Sequence, residues 1–300
     1  MRERQGLLLG ALAYLLWGLF PLYWPLLAPA GAVEILAHRM IWSLVIMAVV
    51  VVVAKRLPQL SAILRDRRVF GLLAVAAVAV TVNWGSYIWG VNHGRTVEAS
   101  LGYFVNPLVT MLLGVIFLRE RLRRMQWVAV GIAVVAVVVL GVDYGRLPWL
   151  ALALAFSFGI YGLMKKKAGA GAFESLTVET ALMTPFALLY VVWLAAHGTG
   201  HFTSDGAGHT LLFIGSGAVT SIPLVLFGAA ATRVTMVTLG LVQYLAPIIQ
   251  FAIGVFVQHE AMSPGRWIGF VIVWIALAVF TYEALGYRRT QLAETAQATV

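Results

Sequence analysis

The chain has 300 residues, of which 61% are hydrophobic and only 11% are charged, with a formal net charge of +9 and no cysteine. Soluble domains carry about a quarter charged residues, so a water-soluble fold of this composition would expose large apolar patches. The composition therefore indicates an integral membrane protein in a lipid bilayer, argues against nucleic acid as a partner, and excludes disulfides and thiolate sites.

Ten apolar runs follow one another along the chain, each close to the length that crosses the hydrocarbon core. They span residues 6–27, 32–54, 70–92, 97–118, 125–142, 148–164, 174–196, 209–230, 235–257 and 265–286. Breaks rich in glycine, proline or charge separate them. The first run is long enough to be a retained helix rather than a cleavable signal peptide. We predict an all-α membrane protein of ten transmembrane helices, followed by a disordered tail at 287–300.

Lysine and arginine are distributed unevenly between the two sides of the membrane. When the connections are assigned to alternate sides, nearly all basic residues fall on the side of the N-terminus. The opposite side receives only Arg95, Arg146 and Arg266, and Arg39 falls inside the second run. Because basic connections face the cytoplasm, we predict that both termini are cytoplasmic in a bacterial inner membrane.

The two halves of the chain, 1–142 and 148–286, resemble each other at an offset of 140 residues. The matched residues are Leu101, Pro107, Gly114, Glu120 and Trp127 against Leu241, Pro247, Gly254, Glu260 and Trp267. Five spans per half is an odd number, so the second repeat must be inverted. Inverted repeats suit alternating access, although such a duplication is also compatible with a bundle that has another task.

Several motifs carry a family resemblance. They are Glu34 to Arg39 (EILAHR), Asn83-Trp84, Asn92 to Arg95 (NHGR), Glu98 to Phe104 (EASLGYF), Asn106 to Leu108 (NPL), and Thr238 to Tyr244. With them the chain resembles the RarD family, in the EamA-type branch of the drug/metabolite transporter superfamily, from about Arg4 to Tyr282. The resemblance implies an inner-membrane transporter of small molecules with a duplicated EamA domain. The family's common label refers to chloramphenicol sensitivity, but nothing in the composition indicates an antibiotic substrate.

Ionisable residues inside spans are functional candidates, because a charge in the bilayer centre is costly. Arg39 is a candidate for binding an anionic substrate group, and Glu179, at the equivalent position of the second repeat, for binding a cation or a proton. Snorkelling to the nearer interface is the alternative for both. His38 is either a proton-responsive group or, as we favour, a polar anchor. Two roles fit Glu98, an outer gate that takes part in coupling or a local ion pair with Arg95.

Four further glutamates lie at the ends of spans. We expect Glu34 and Glu174 to be solvated where their spans begin. Glu120 and Glu260 occupy matched positions in opposite loops, and we expect them to fix neighbouring segments by charge pairing or helix capping rather than to act in transport.

Neutral polar residues recur at helical spacing on single faces of three spans, and polar side chains avoid lipid. The candidate substrate-binding residues are Arg39, Asn83, Trp84, Tyr87, Tyr103, Asn106, Gln243 and Gln250. Hydrogen bonding between helices is the competing explanation for these faces. We expect a cavity near the midplane between the repeats, lined by the first, third, fourth, sixth, eighth and ninth spans.

Secondary transport of a small metabolite or drug-like molecule, with protons as a possible coupling ion, is the leading hypothesis. The alternatives are a membrane enzyme and a non-transporting scaffold or sensor. The chain lacks the HExxH, GxSxG and Walker A motifs, and we predict no metal and no cofactor. Substrate identity, direction and oligomeric state do not follow from the sequence.

Overall fold

A computed structural model describes residues 2–119, 121–203, 205–231, 233–234 and 242–297, and these form helices and no strand. The helices of the first half are α1 (Arg2–Gly18), α2 (Phe20–Tyr23), α3 (Ala32–Val53), α4 (Leu57–Arg65), α5 (Arg67–Asn92), α6 (Thr96–Leu118) and α7 (Arg124–Tyr144). The helices of the second half are α8 (Trp149–Ala168), α9 (Ala172–Ala196), α10 (Gly206–Ala231), α11 (Leu245–Ala252) and α12 (Pro264–Gln297). A 3₁₀ turn, Trp24–Leu27, continues α2, and a π-helical turn, Ile253–Val257, continues α11.

Within the described residues, eight helical segments are long and apolar enough to cross a membrane. Each of the ten predicted runs contains helix, but two do not meet that standard. Helix α8 ends in three lysines, which lower its apolar character. The helix at Leu245–Val257 is short, and the first part of the predicted run, 235–241, lies outside the described residues. A multi-pass helical membrane protein is confirmed, and the number of ten spans remains a prediction.

Two segments differ from the sequence-based expectation. Helix α4 occupies what we expected to be a cytoplasmic connection. The search for transmembrane runs did not predict it, because nine residues are too few to span a bilayer. At the other end of the chain, α12 continues to Gln297, through most of the segment predicted to be a disordered tail. The tail sequence is rich in Gln, Ala, Leu and Glu, which favour helix, and it extends a helix that is already nucleated.

Local sequence sets the helix ends. The Asp66 side chain accepts hydrogen bonds from the backbone N–H groups of Arg68 and Val69 and so caps the start of α5. Gly145 and Gly169, both with φ near +62°, end α7 and α8 in the left-handed conformation, which costs glycine little.

The helices pack into one bundle in which the halves are interleaved. Helix α8 of the second half packs against α5 and α6 of the first, and α1 of the first half packs against α10 and α11 of the second. Helix α3 packs against α9 and α10, and α7 packs against α12. Helix α5 also contacts α9, and α6 also contacts α11. One apolar core joins α6, α7, α8 and α12. A second core joins α2, α3, α5, α8 and α10, and it surrounds the candidate site.

Candidate functional site

Arg39 lies at the centre of an aromatic cluster between α3, α5 and α10. The residue is only 2% exposed. Its guanidinium carbon lies 3.9 Å from the ring centroid of Trp84, 5.0 Å from that of Trp24 and 5.6 Å from that of Phe20. Nε donates a hydrogen bond of 2.7 Å to the Thr220 hydroxyl. Cation–π contacts of this kind stabilise a desolvated arginine, so Arg39 is held inside the bundle and does not snorkel.

Two tyrosines and an asparagine adjoin this cluster. The Asn83 amide donates to the Leu154 carbonyl at 3.0 Å and to the Ser157 hydroxyl at 3.1 Å, and its oxygen accepts from the Tyr103 hydroxyl at 3.1 Å. Tyr87 packs edge-on against Tyr103 with centroids 5.6 Å apart, and its buried hydroxyl has no hydrogen-bond partner in the part of the chain that the structure describes. The predicted polar face of α5 therefore lies inside the bundle, against α6 and α8.

The other predicted polar residues hold helices together. The Asn106 amide donates to the Ala155 carbonyl at 3.0 Å, and the Gln250 amide donates to the Trp17 carbonyl at 3.1 Å. The Gln250 side-chain oxygen is buried without a partner. Gln243 is half-buried in the turn before α11. Hydrogen bonding between helices, the alternative explanation of these faces, thus accounts for much of the polarity of Asn83, Asn106 and Gln250.

Glu179 forms a separate buried cluster on α9. It is 1% exposed, and its carboxylate accepts from Lys165 Nζ at 2.9 Å and from the Tyr161 hydroxyl at 3.2 Å. Lys165 Nζ also contacts the Ser175 hydroxyl. Glu179 is therefore neutralised by a cation from α8 and does not share a contact with Arg39.

Glu98 pairs with Arg146, so the local pair with Arg95, one of the two roles considered for Glu98, is wrong. The Glu98 carboxylate accepts from Arg146 at 2.7 and 3.3 Å, and from the Leu150 backbone N–H at 3.3 Å. Arg95 instead lies over the Trp89 ring at 5.0 Å. The hydrogen bonds that Arg146 donates to the Glu98 carboxylate raise the pKa of Arg146. This arrangement ties the loop before α8 to the first turn of α6, and a role for Glu98 in coupling remains a prediction.

His38 is buried between aromatic rings and is not an anchor at the membrane interface. Its ring stacks on Phe202 at 4.6 Å and lies 4.6 Å from the ring of Phe213. The expectation failed because the outer loop that carries Phe202 folds back over the start of α3, which periodicity does not reveal. Its role in coupling also remains a prediction.

Two glutamates at helix starts are buried, and each contacts the connection that follows another helix. The Glu34 carboxylate accepts from the His201 backbone N–H at 2.6 Å and lies 2.9 Å from His201 Nδ1, while Glu174 lies 3.6 Å from an Arg56 nitrogen. Both were expected to be solvated, yet each is 3% exposed. The loops that cover them fold over the membrane-embedded helices, so burial here is a tertiary effect.

Glu260 caps helix α6, as expected for a structural role. Its carboxylate accepts from the backbone N–H groups of Thr96 and of Val97, the latter at 3.0 Å. Burial raises the pKa of Glu260 above its ordinary range, and the two backbone hydrogen bonds oppose that shift. The matched residue, Glu120, lies outside the described residues.

Comparisons with known proteins agree on one family. The sequence pattern of the EamA-like transporter family matches residues 4–142. The chain is 56% identical to Protein RarD of Streptomyces exfoliatus, over 94% of this chain and 90% of that protein. It is 41% identical to the Uncharacterized transporter YojE of Bacillus subtilis (strain 168), over 95% and 96% of the two chains. A solved crystal structure with 18% identity covers 94% of this chain and 98% of its own, with a TM-score of 0.61, which concerns the fold alone.

Proposed function

The chain belongs to the RarD family of EamA-like transporters, and from this membership we propose that it is a secondary transporter of a small organic molecule. It works by alternating access in the bacterial inner membrane, with both termini in the cytoplasm. Its ten spans form two inverted repeats, 1–142 and 148–286. The substrate site lies around Arg39, Trp84, Tyr87 and Tyr103.

The packing of the helices is the observation that carries this proposal. Exchanging the halves replaces α1, α3, α5, α6 and α7 by α8, α9, α10, α11 and α12. Under that exchange the contact of α5 with α8 becomes that of α10 with α1, and α6 with α8 becomes α11 with α1. The contact of α3 with α10 becomes that of α9 with α5, while the α3–α9, α6–α11 and α7–α12 contacts map onto themselves. An exchange of conformation between equivalent halves is what alternating access requires.

Matched glycines support the same symmetry at atomic detail. A Cβ added to Gly18 would lie 2.8 Å from Ile249, and one added to Gly159 would lie 2.8 Å from Leu113 and 3.4 Å from Val109. Val109 and Ile249 are separated by the 140-residue offset of the repeat. Each half therefore uses a small residue on its first helix to approach the fourth helix of the other half.

The two buried glutamates at helix starts form a second matched pair. Glu34 on α3 contacts the connection that follows α9, through His201, and Glu174 on α9 contacts the connection that follows α3, through Arg56. In the proposed topology α3 and α9 begin on opposite sides of the membrane. The two contacts then close opposite ends of the bundle, as a pair of alternating gates would.

Glu179 is proposed as the group that exchanges a coupling proton. Ionisable groups buried in transporter spans commonly serve as proton relays, and Glu179 has both a cation and a phenol hydroxyl within hydrogen-bond distance. The variant Glu179→Gln should lose accumulation driven by a pH gradient while it retains exchange of substrate across the membrane. Loss of both activities, or of neither, would contradict this role.

Transport itself can be tested with purified protein in proteoliposomes. Ligands that bind the folded state raise the melting temperature, so amino acids, nucleobases, organic acids and amphenicols are screened first and the hits are tested by counterflow. The chain has no cysteine, so the double variant Glu34→Cys/His201→Cys provides a reversible lock when a bifunctional thiol reagent with a reducible linker joins the two thiols. We expect counterflow of at least one hit, loss of counterflow when the lock is formed, and recovery when the linker is reduced. Hits that bind but never cross, with or without the lock, would contradict transport.

A further inference from the structure

Arg39 is a buried cation that has no anionic partner among the described residues. In the described part of the chain, every aspartate or glutamate found in an ion pair contacts a cation other than Arg39. One edge of the guanidinium is occupied, because Nε donates a hydrogen bond to the Thr220 hydroxyl. The buried Nη1 has no hydrogen-bond acceptor among the described residues. A buried charge left unpaired costs several kcal/mol. An anion that reaches this free edge therefore gains a charge-assisted hydrogen bond that no described residue supplies.

Aromatic rings surround the Arg39 guanidinium. Trp84 covers the guanidinium face at 3.9 Å, and Trp24 lies at 5.0 Å. The Tyr87 hydroxyl and the Trp24 indole N–H are buried, and no described residue forms a hydrogen bond with either. Tyr103 packs edge-on against Tyr87, with ring centroids 5.6 Å apart. Such a shell suits a flat apolar body with one acceptor group.

We infer that the ligand of this site is a small aromatic monocarboxylate without an ammonium group. One cation balances one negative charge, so a phosphate dianion would leave a charge unpaired in the bundle. An amino acid would bring an ammonium group into a shell whose described members include no carboxylate. The inference rests on the proposed function, because Arg39 is 2% exposed and becomes accessible only when the two halves move apart.

Matched probes separate the charge of the ligand from its shape. We would titrate purified wild-type protein with 3-phenylpropanoate, L-phenylalanine and 3-phenylpropylamine by isothermal calorimetry. The acid should bind at least about tenfold more tightly than either amine-bearing probe, since one unpaired buried charge is worth that much or more. Equal affinity for the acid and the amino acid would overturn the inference. So would the absence of saturable binding of the acid up to roughly 10 mM, where even a weak site fills.

Variants locate the binding. Arg39→Gln should weaken binding of 3-phenylpropanoate by about 10- to 100-fold, and Arg39→Lys, which keeps the charge but loses the planar fork, should fall between it and wild type. The control is Arg95→Gln, which removes another arginine stacked on a tryptophan and should bind as wild type does. Unchanged binding in Arg39→Gln would overturn the inference. If Arg39→Gln does not fold, the comparison of probes on the wild type still decides.

Flux measurements distinguish this inference from the proposal of transport. Counterflow of 3-phenylpropanoate supports both. Binding of the acid without counterflow of any compound supports the ligand class and contradicts transport. Counterflow of an unrelated compound, with no binding of the acid, supports transport and overturns the ligand class.

Discussion

Helices α6 and α8 approach each other closely at Gly102, which makes this residue a sensitive test of the packing. A Cβ at Gly102 would lie 2.7 Å from the Ala151 carbonyl oxygen, 2.8 Å from Leu154 Cβ and 3.2 Å from Ala151 Cα. These atoms are backbone or adjacent to it and cannot swing aside. The two helices would have to separate by roughly 0.7 Å to restore an ordinary contact, and overpacking of this kind costs about 1–3 kcal/mol.

The expected effect of Gly102→Ala is a loss of stability, partly offset by alanine's helix propensity, which exceeds that of glycine by about 1 kcal/mol. A net loss of roughly 1–2 kcal/mol lowers the melting temperature by about 2–8 °C, which thermal unfolding in detergent resolves. The matched control is Gly131→Ala on α7, where nothing lies within 4 Å of the added Cβ and stability should be unchanged or slightly raised. If the two variants were equally stable, the described α6–α8 contact would be wrong.

Three further predictions concern hydrogen bonds and charge. Asn83→Leu removes two hydrogen bonds to α8 and the acceptor of the Tyr103 hydroxyl, so chemical unfolding should show a loss of about 1–2 kcal/mol. Glu98→Gln and Arg146→Gln should each destabilise the protein, and the double variant should lose less than the sum of the two; additive losses would contradict the pair. Because burial raises the pKa of Glu260 above its ordinary value of 4.5, the folded state holds that proton more tightly. Its contribution to stability should therefore fall as pH rises above about 4.5, and Glu260→Gln should flatten that part of the pH profile.

The positions of the helices could be predicted from sequence because the length of an apolar run is a local property. The place of Arg39 inside such a run left both burial and snorkelling open, and the structure shows it buried. Helix α4 was missed for the converse reason, since a short amphipathic segment in a basic connection resembles a loop. Glu34 and Glu174 are separated by the 140-residue offset of the repeat, but the sequence does not show that each contacts a connection of the other half.

Partnerships between polar side chains could not be predicted, because they depend on which helices meet. Glu98 lies three residues from Arg95, yet its partner is Arg146, 48 residues away. The Asn83 and Asn106 amides bond to carbonyl groups of α8, and no side-chain pattern reports on a backbone acceptor. The same limit applied to His38, whose aromatic neighbours come from the loop after α9 and from α10.

Access to the centre of the bundle from both sides of the membrane tests alternating access most directly. Ser157 is 7% exposed and lies on α8 beside Asn83, and Ser157→Cys would be the single cysteine of a chain that has none. A membrane-impermeant maleimide is applied to oriented vesicles from one side and then from the other, with Val135→Cys on the exposed face of α7 as the unreactive control. We predict labelling of Ser157→Cys from each side, with ligand reducing both rates. Labelling from one side only, or no faster than in the control, would contradict the account.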